Sequence, residues 1–404
     1  MHWRRNLFAV TAASFIGFTG FTLVMPFLPL FFQQLGVTDI GEIAMWSGLS
    51  LGVTPALTAM LAPFWGRLAD RYGRKIMVER SLVSFIFVMG AMAFVRHPWQ
   101  VFALRALQGF FAGYGSLALA MAADSAPPDR VAYAIGYVQT AQRLGPAIGP
   151  IVGGVVAQIA GLRNAFLVTA AFFLIAALLV FVMYDERSAP HTETHASGER
   201  LTFRNVLAFE NFVLLMGVVF GLQFIDRTFG PVLPLYVAEL GVAPERVPIT
   251  AGVLFSIAAA TGAVGHHFCG RLLRRATARR VIAASVAAGA AGASLYVFAR
   301  GPWLLVVGTP IFGLAIGIAT TAAYTAASSV MPASARGAGF GLLTTASLAG
   351  LALSPVVSGI LGATSIRAVF LLDTIGLVVL AFAVSRLMIA APLMEATAPA
   401  TEEL

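Results

Sequence analysis

The apolar residues of this sequence fall into runs of about 20, the length that an α-helix needs to cross a hydrocarbon layer. Only 11% of the 404 residues are charged and 59% are hydrophobic, whereas a soluble domain carries about 25% charged residues. A water-soluble fold is therefore excluded, and the sequence predicts an all-α membrane protein. Its twelve predicted transmembrane helices lie near residues 8–32, 44–65, 76–95, 99–122, 131–158, 164–183, 209–237, 249–269, 280–299, 302–328, 337–361 and 367–389.

One polar stretch, residues 185–206, separates the sixth apolar run from the seventh. It reads as a linker between two halves of similar size, because no other polar segment of this length occurs between the runs. The sequence thus predicts an N-terminal six-helix bundle in residues 1–184, a cytoplasmic linker in residues 185–206 and a C-terminal six-helix bundle in residues 207–404.

The two halves repeat one another. Residues 26–36 read PFLPLFFQQLG and residues 231–241 read PVLPLYVAELG, with matched prolines, leucines and glycine at an offset of 205. At an offset of 204, Gly109 recurs as Gly313. Parallel six-helix repeats are the arrangement of transporters that rock about a site near the middle of the membrane, so the pattern predicts two pseudo-symmetric bundles.

The positive charges are distributed unevenly between alternate loops. If both termini are cytoplasmic, eighteen of the 26 Lys and Arg residues lie on the cytoplasmic side and five outside, while Arg105, Arg143 and Arg227 lie within predicted helices. Excess Lys and Arg mark cytoplasmic loops, so we expect a multi-pass protein with both termini in the cytoplasm. The net charge of +8 is accounted for by this bias, and we expect no nucleic-acid partner. The single cysteine, Cys269, excludes an intramolecular disulfide.

The loop after the second run reads GRLADRYGRK, from Gly66 to Lys75. It resembles the cytoplasmic loop signature of the major facilitator superfamily. That resemblance implies a latch in which Asp70 approaches the start of helix 11 near Arg336, and in which Arg74 pairs with Asp124. A carboxylate at a helix N-terminus and an arginine–carboxylate pair are both favourable. The implied gating residues are Gly66, Asp70, Arg71, Gly73, Arg74, Asp124 and Arg336.

The fifth run carries a second motif. Glycines spaced by four residues lie on one face of a helix and let another helix approach closely, and proline bends a helix because it lacks a backbone N–H. The pattern is similar to the antiporter signature of drug:proton exporters of the same superfamily, and it favours export over uptake. Its residues are Gly136, Gly145, Gly149, Pro150 and Gly153.

The resemblance covers the whole chain, including a fourth run in which Arg105 matches a buried arginine to which a role in proton transfer is assigned. It implies the major facilitator fold and a location in the bacterial inner membrane. It also implies proton-coupled antiport of small apolar or amphipathic compounds by alternating access. We expect a monomer in the lipid bilayer whose only ligands are small molecules and protons, with no cofactor.

Five ionisable residues lie at membrane depth, namely Arg105, Arg143, Asp226, Arg227 and Asp373. A charge at the bilayer centre costs about 2.5–3.5 kcal/mol even on permissive scales, so each needs a functional or structural reason. We predict that Asp226 first, and Asp373 second, bind and release the coupled proton, with Arg105 and Arg143 as partners. The alternative is that these residues form static ion pairs that only fix helix packing.

The same helices supply candidates for a deformable apolar pocket, which suits varied substrates. The predicted substrate-binding residues are Phe21, Met25, Gln139, Phe220, Phe224 and Arg227. His266 and His267 are adjacent near the inner end of the eighth run, which is poor geometry for a shared metal, and no metal site is expected.

The sequence also bears on three other functions. A narrower exporter of one metabolite, such as a sugar, siderophore or peptide derivative, fits the same features. An intramembrane enzyme is disfavoured because His-Glu-x-x-His, a phosphate-binding loop and Gly-x-Ser-x-Gly are all missing from the sequence. A membrane sensor would usually carry a soluble signalling domain, and the longest polar segment between the runs is the linker.

Overall fold

The structure is a computed structural model, and it describes residues 2–127, 130–186, 207, 209–331 and 336–389. Twelve helical segments, α1 to α12, make up these ranges, three of them in two pieces. They are α1 (His2–Val24 and Leu28–Gln34), α2 (Ile40–Tyr72), α3 (Arg74–Met92), α4 (Pro98–Phe110 and Tyr114–Ser125), α5 (Val131–Ala160), α6 (Leu162–Met183), α7 (Phe212–Arg227 and Leu233–Glu239), α8 (Val247–Leu273), α9 (Ala278–Val297), α10 (Pro302–Val330), α11 (Arg336–Gly362) and α12 (Ile366–Leu387).

Ten helices of the described chain are long and apolar enough to cross a membrane by themselves. The other two segments, α3 and α7, do not meet this condition of length and apolar character, each for a local reason. Arg74, Lys75, Glu79 and Arg80 charge the first turns of α3, and α7 is interrupted between its two pieces. Helices suit a membrane because their backbone groups are paired within one segment, and the twelve-helix fold expected from the sequence is confirmed.

Three of the predicted helices are not continuous. α1 passes through a 3-10 turn at Met25–Phe27 that contains Pro26, α7 breaks at residues 228–232, and α4 breaks before Gly113, whose φ is 128°. The break in α4 leaves carbonyls that side chains satisfy, since Trp65 Nε1 donates to Phe110 O at 2.7 Å. Apolar periodicity alone does not reveal such breaks, and the sequence-based ranges ran through all three.

The hairpin turns bring the same helix ends together at each membrane face. A single residue, Gly73, joins α2 to α3 with a φ of 97°, a conformation that glycine adopts at little cost. We call this end of the molecule the basic face, because Arg71, Arg74, Arg130 and Arg271 lie at the helix ends there. The other end, where α5 meets α6 at Gly161, is called the opposite face.

The internal duplication is visible in the packing. A Cβ placed on Gly145 of α5 would lie 2.9 Å from Phe18 Cβ of α1, and one placed on Gly350 of α11 would lie 3.3 Å from Gln223 Cβ of α7. Both members of the second pair stand 205 residues after those of the first. α5 therefore packs on α1 as α11 packs on α7, and the two bundles share one plan.

The bundles touch mainly through two helix pairs, α2 with α11 and α5 with α8. Both contacts are closest in the half of the molecule toward the opposite face. A Cβ on Gly48 would lie 2.2 Å from Pro355 O, and one on Gly252 would lie 2.3 Å from Pro150 O. The backbones approach so closely that only glycine fits, and this face of the molecule is closed.

Candidate substrate and proton site

A cavity of about 320 Å³ lies between the bundles in the half toward the basic face. The N-terminal bundle contributes one residue from α5, and α8, α10 and α11 contribute the others. The lining residues are Arg143, His266, Thr320, Thr321, Tyr324, Thr325, Ser328 and Phe340.

The cavity reaches toward the ends of its helices. Ser328 is two residues from the end of α10, and Phe340 lies in the first turns of α11. In contrast to Gly48 and Gly252, glycines near the basic face such as Gly136 and Gly270 have no atom of the described residues within 4 Å of an added Cβ. The bundles are thus apart at the basic face and together at the opposite face, with the cavity between them.

Arg143 and His266 supply the nitrogen atoms of the cavity. Arg143 is exposed, and within the described chain no hydrogen bond or ion pair engages its guanidinium. His266 Nδ1 lies 2.7 Å from Thr321 Oγ1. The sequence predicted Arg143 as a proton-coupling partner. The structure places it in the large cavity toward the basic face, and neither Asp226 nor Asp373 lines that cavity.

Asp373 is completely buried on α12. Its Oδ2 lies 2.7 Å from Thr228 Oγ1, at the break in α7, and its Oδ1 has no hydrogen-bond partner in the described structure. Ser358 Oγ of α11 donates to the backbone carbonyl of Thr228 at 2.5 Å. The Asp373 carboxyl group is therefore linked, through Thr228 in the α7 break, to α11, which is one of the helices that close the contact between the bundles.

Asp226 and Arg227 pair with each other at the end of the first piece of α7. Arg227 Nε lies 3.3 Å from Asp226 Oδ2, and the side chains are 53% and 34% exposed for Arg227 and Asp226 respectively. Asp226 also borders a small cavity of about 40 Å³ next to Phe229 and Phe312. The sequence left open which of the two adjacent residues would face a cavity. The structure places Asp226 on this one.

Arg105 is 1% exposed and is held within the N-terminal bundle. Its Nε donates to Ser50 O at 3.1 Å, and its Nη1 donates to Gln108 Oε1. The guanidinium also lies over the Phe21 ring at 5.8 Å. Among the described residues no carboxylate pairs with Arg105. In this conformation its guanidinium is held by the Ser50 carbonyl, the Gln108 side-chain amide and the Phe21 ring.

The predicted apolar pocket residues do not line the large cavity. Phe220 and Phe224 stack on each other with ring centroids 6.0 Å apart, where α7 packs on α11. Met25 is buried in the α1 turn, and Gln139 is exposed on α5. These residues therefore do not form one site with the large cavity in this conformation.

The loop between α2 and α3 is anchored within its own bundle. The predicted ion pair between Arg74 and Asp124 is present. Glu186 Oε1 accepts the backbone N–H of Arg74 at 2.7 Å, and Gly73 is needed here because an added Cβ would lie 2.8 Å from the Glu186 carboxylate. The side chains of Asp70 and Arg336 lie outside the described residues, and their contact stays a prediction.

The α5 glycines pack α5 against α1. An added Cβ would lie 2.7 Å from Thr19 N at Gly145, 2.2 Å from Thr22 Oγ1 at Gly149 and 1.8 Å from Leu23 O at Gly153. This agrees with the close helix approach expected from their spacing. Gly136 and Gly66 lie in open space, so neither is a packing position in this conformation.

Sequence reasoning missed His266, Thr228 and Ser358. His266 was set aside because a neighbouring histidine suggested a poor metal site, although a histidine at membrane depth beside hydroxyl-rich α10 was a usable signal. Thr228 and Ser358 are small polar residues common in membrane helices, and nothing in their sequence context marks them. In the described residues no group of three or more His, Cys, Asp or Glu side chains is placed to hold a metal.

Comparisons with known proteins agree with this architecture. A family model described as the Major Facilitator Superfamily matches residues 10–302 and 268–403. The multi-drug resistance efflux pump PmrA homolog of Lactococcus lactis is 34% identical over 286 residues, which cover 70% of this chain and 69% of that protein. Multidrug resistance protein MdtG of Salmonella paratyphi A is 33% identical over 321 residues, 78% of each chain.

Solved structures share the fold. A bacterial homolog of the human lysosomal transporter Spinster, in an inward-facing and unoccupied conformation, superposes with a TM-score of 0.76 at 16% identity, covering 96% of this chain and 98% of that one. The nucleoside transporter NupG gives a TM-score of 0.72 at 17% identity, covering 94% and 98%. At these identities the likeness concerns the fold alone.

Proposed function

Because this chain belongs to the major facilitator superfamily of transporters, we propose that it is a proton-coupled antiporter that exports small apolar or amphipathic compounds across the bacterial inner membrane by alternating access. Its relatives in sequence include proteins named for multidrug efflux. The basic face is cytoplasmic in this proposal, since excess Lys and Arg favour that side, and both termini then lie in the cytoplasm.

The observation that carries the proposal is the one-sided opening between the bundles. Backbone contacts as close as that of Gly48 with Pro355 close the opposite face, while a cavity of about 320 Å³ lies on the cytoplasmic side of that contact. A substrate enters this cavity from the cytoplasm or the inner leaflet. Rocking of the bundles then closes the basic face and releases the substrate outside.

Asp373 and Asp226 are the proposed proton carriers. The sequence placed Asp226 first, and the geometry now favours Asp373, because Asp226 has the Arg227 guanidinium 3.3 Å away whereas Asp373 has no cation beside it among the described residues. A buried ionised carboxylate without a cation is costly. Thr228 has one hydroxyl hydrogen and two acceptors within reach, Ile225 O at 2.9 Å and Asp373 Oδ2 at 2.7 Å. A protonated Asp373 that donates to Thr228 Oγ1 satisfies all three groups.

The same contacts link the proton to the gate. Ser358 lies between Pro355 and Gly359, which contact α2 at the closed face, and it holds the Thr228 carbonyl. Opening that face moves α11 and disturbs the Ser358–Thr228–Asp373 chain, so that Asp373 takes up a proton from the outside. After the face closes again, Asp373 releases this proton to the cytoplasm as substrate occupies the cavity. Proton and substrate then stabilise different conformations, which gives exchange rather than co-transport.

The remaining predicted residues keep supporting roles in the proposal. Arg71, Arg74 and Asp124 stabilise the cytoplasmic ends of the N-terminal bundle, and Asp70 with Arg336 forms the latch when the basic face closes. The aromatic pair Phe220 and Phe224 lies on α7 against α11 and becomes part of the apolar pocket as those helices move.

A narrower exporter of one polar metabolite is the second candidate. The observation in its favour is the polar wall of the cavity, where five residues with hydroxyl groups accompany Arg143 and His266. Export of a single polar compound, with no efflux of apolar dyes, would support this candidate over multidrug export.

Transport by everted membrane vesicles tests the proposal. A pH gradient, acidic inside the everted vesicle, should drive accumulation of labelled compounds by the wild-type protein, and an ionophore that collapses the gradient should stop it. Asp226→Asn and Asp373→Asn should each abolish the gradient-driven component while the protein stays folded. Undiminished gradient-driven accumulation in both variants would contradict the coupling assignment.

A further inference from the structure

The large cavity is positively charged and has no acidic wall. Its one permanent charge is the Arg143 guanidinium, and none of its eight lining residues is Asp or Glu. The Asp226 carboxylate pairs with Arg227, and neither residue lines this cavity. A cationic substrate would therefore meet an arginine and no compensating carboxylate in this site.

Arg143 is available to a ligand. It projects from α5 two residues before Gly145, where α5 is packed on α1, so its backbone is fixed while its side chain is exposed to the cavity. The guanidinium has five N–H donors in a planar fork, and none of them donates to another described residue. Such a fork fits the two oxygens of a carboxylate, or the oxygens of a phosphonate or sulfonate.

His266 and Thr321 add a further donor in either tautomer. If His266 Nδ1 accepts the hydroxyl hydrogen of Thr321 across the 2.7 Å contact, the ring carries its proton on Nε2, which can donate to a ligand. If Nδ1 donates instead, the Thr321 hydroxyl hydrogen is the one left to donate. In both arrangements the pair therefore keeps one hydrogen that is not used between the two side chains, and a ligand competes for it with the nearby Gly317 carbonyl.

Two aromatic rings form another part of the cavity wall. The rings of Tyr324 and Phe340 lie within 9° of parallel with centroids 6.5 Å apart, and both line the cavity. Flat apolar groups pack well on such rings. The volume of about 320 Å³ is at the small end of ligand pockets, about 300–1,000 Å³.

We propose that this cavity binds a small organic anion, an aromatic compound with one acidic group, through Arg143, the His266–Thr321 pair and the Tyr324–Phe340 wall. The proposal rests on the transport function proposed above and specifies its substrate class. Arg143 acts here as the anion anchor, in place of the proton-coupling role that the sequence predicted for it.

Equilibrium dialysis of the purified full-length protein tests the class of ligand without relying on transport. Three compounds with one ring system are compared: naphthalene-2-carboxylate, its uncharged carboxamide and the cationic 2-(aminomethyl)naphthalene. The wild-type protein should bind the carboxylate at least about tenfold more tightly than the carboxamide, the usual effect of a hydrogen bond to a charged group, and the ammonium compound most weakly.

Substitutions then locate the anchor. Arg143→Gln should reduce the carboxylate-to-carboxamide affinity ratio by about tenfold, and Arg143→Lys should retain part of it, because a point charge lacks the planar fork. His266→Gln should reduce the ratio by a smaller factor. Arg275→Gln, an exposed position on the same basic face, should leave the ratio unchanged and thereby exclude a general surface attraction.

Two results would overturn the proposal: preference of the wild-type protein for the ammonium compound, or an equal loss of affinity for all three compounds in Arg143→Gln. Failure of the proposed function looks different. In that case the carboxylate still binds with the predicted preference, but proteoliposomes show no accumulation of any of the three compounds that depends on the pH gradient.

Discussion

Thr228 Oγ1 lies 2.7 Å from Asp373 Oδ2, across the gap between the break in α7 and the buried middle of α12. The contact joins a carboxyl group with no exposed surface to the one segment of α7 that is not helical. Ser358 extends it to α11 by donating to the Thr228 carbonyl. A titratable group, an interrupted helix and the closed bundle contact are thus parts of one hydrogen-bonded chain.

The stability of Asp373→Asn follows from this environment. Asn has nearly the same shape, can donate an amide N–H to Thr228 Oγ1 as the protonated carboxyl group does, and never has to be ionised in the apolar interior. We expect the variant to unfold at the same temperature as the wild type or slightly higher. Asp373→Leu should be less stable by about 1–3 kcal/mol, because it leaves the Thr228 hydroxyl without this partner and changes the packing. Thermal unfolding in detergent measures both, and a large destabilisation by Asp373→Asn would show that the ionised form is needed for folding.

The glycines of α5 provide a matched pair of variants. Gly153→Ala would place a methyl group 1.8 Å from Leu23 O, so α1 and α5 must separate, at a cost of about 1–3 kcal/mol. Gly136→Ala meets nothing among the described residues within 4 Å and should be neutral or stabilising by up to about 1 kcal/mol, since alanine favours the helix. Unfolding temperatures of the two variants should differ in this order. Equal values would mean that the motif does not act through close packing.

Closure of the opposite face is tested by Gly48→Ala. The added methyl group would lie 2.2 Å from Pro355 O, which is incompatible with the closed contact. We expect spin labels at Glu42 and Thr364, in a Cys269→Ser background, to move farther apart in this variant when measured by pulsed electron paramagnetic resonance. Gly90→Ala, which meets no described atom within 4 Å, is the control and should leave the distance distribution unchanged. An unchanged distribution in Gly48→Ala would contradict the proposed gate.

The pair of Arg74 and Asp124 is expected to matter more for transport than for stability. The two side chains are 30% and 38% exposed, and an ion pair of this kind contributes about 0–1 kcal/mol. Asp124→Arg should slow efflux while changing the unfolding temperature little. Adding Arg74→Asp, which restores the pair with exchanged charges, should recover part of the rate. No recovery in the double variant would mean that the pairing itself is not what gating requires.

The architecture was accessible from the sequence because the membrane leaves few choices. Twelve apolar runs, a polar linker and a repeat at an offset of 205 residues require two similar bundles, since unpaired backbone is not tolerated in lipid. The contact between Arg74 and Asp124 was also predictable, because the loop resembles the superfamily's signature and that resemblance implies the pair. These features follow from the spacing of apolar runs and repeated motifs along the chain and from the ion pair that the loop motif implies.

The details of the site were not predictable in the same way. Gly230 and Pro231 favour a break at residues 228–232, but the partners of the broken segment lie on α11 and α12, more than a hundred residues away in sequence. The partners of Arg105 were not predictable either, since they are the Ser50 carbonyl and Gln108 instead of an aspartate. Sequence identifies which charges need a partner at membrane depth. The partner itself is decided by tertiary geometry.

The most direct test of the account is proton release from the purified protein when substrate binds. The compound transported best in the vesicle assay is added to wild-type protein in weakly buffered detergent solution, and a pH-sensitive dye records the protons released. If substrate and proton stabilise opposite conformations through Asp373, the wild type should release protons in proportion to substrate bound. Asp373→Asn should bind the compound and release none, and equal release by the two proteins would contradict the account.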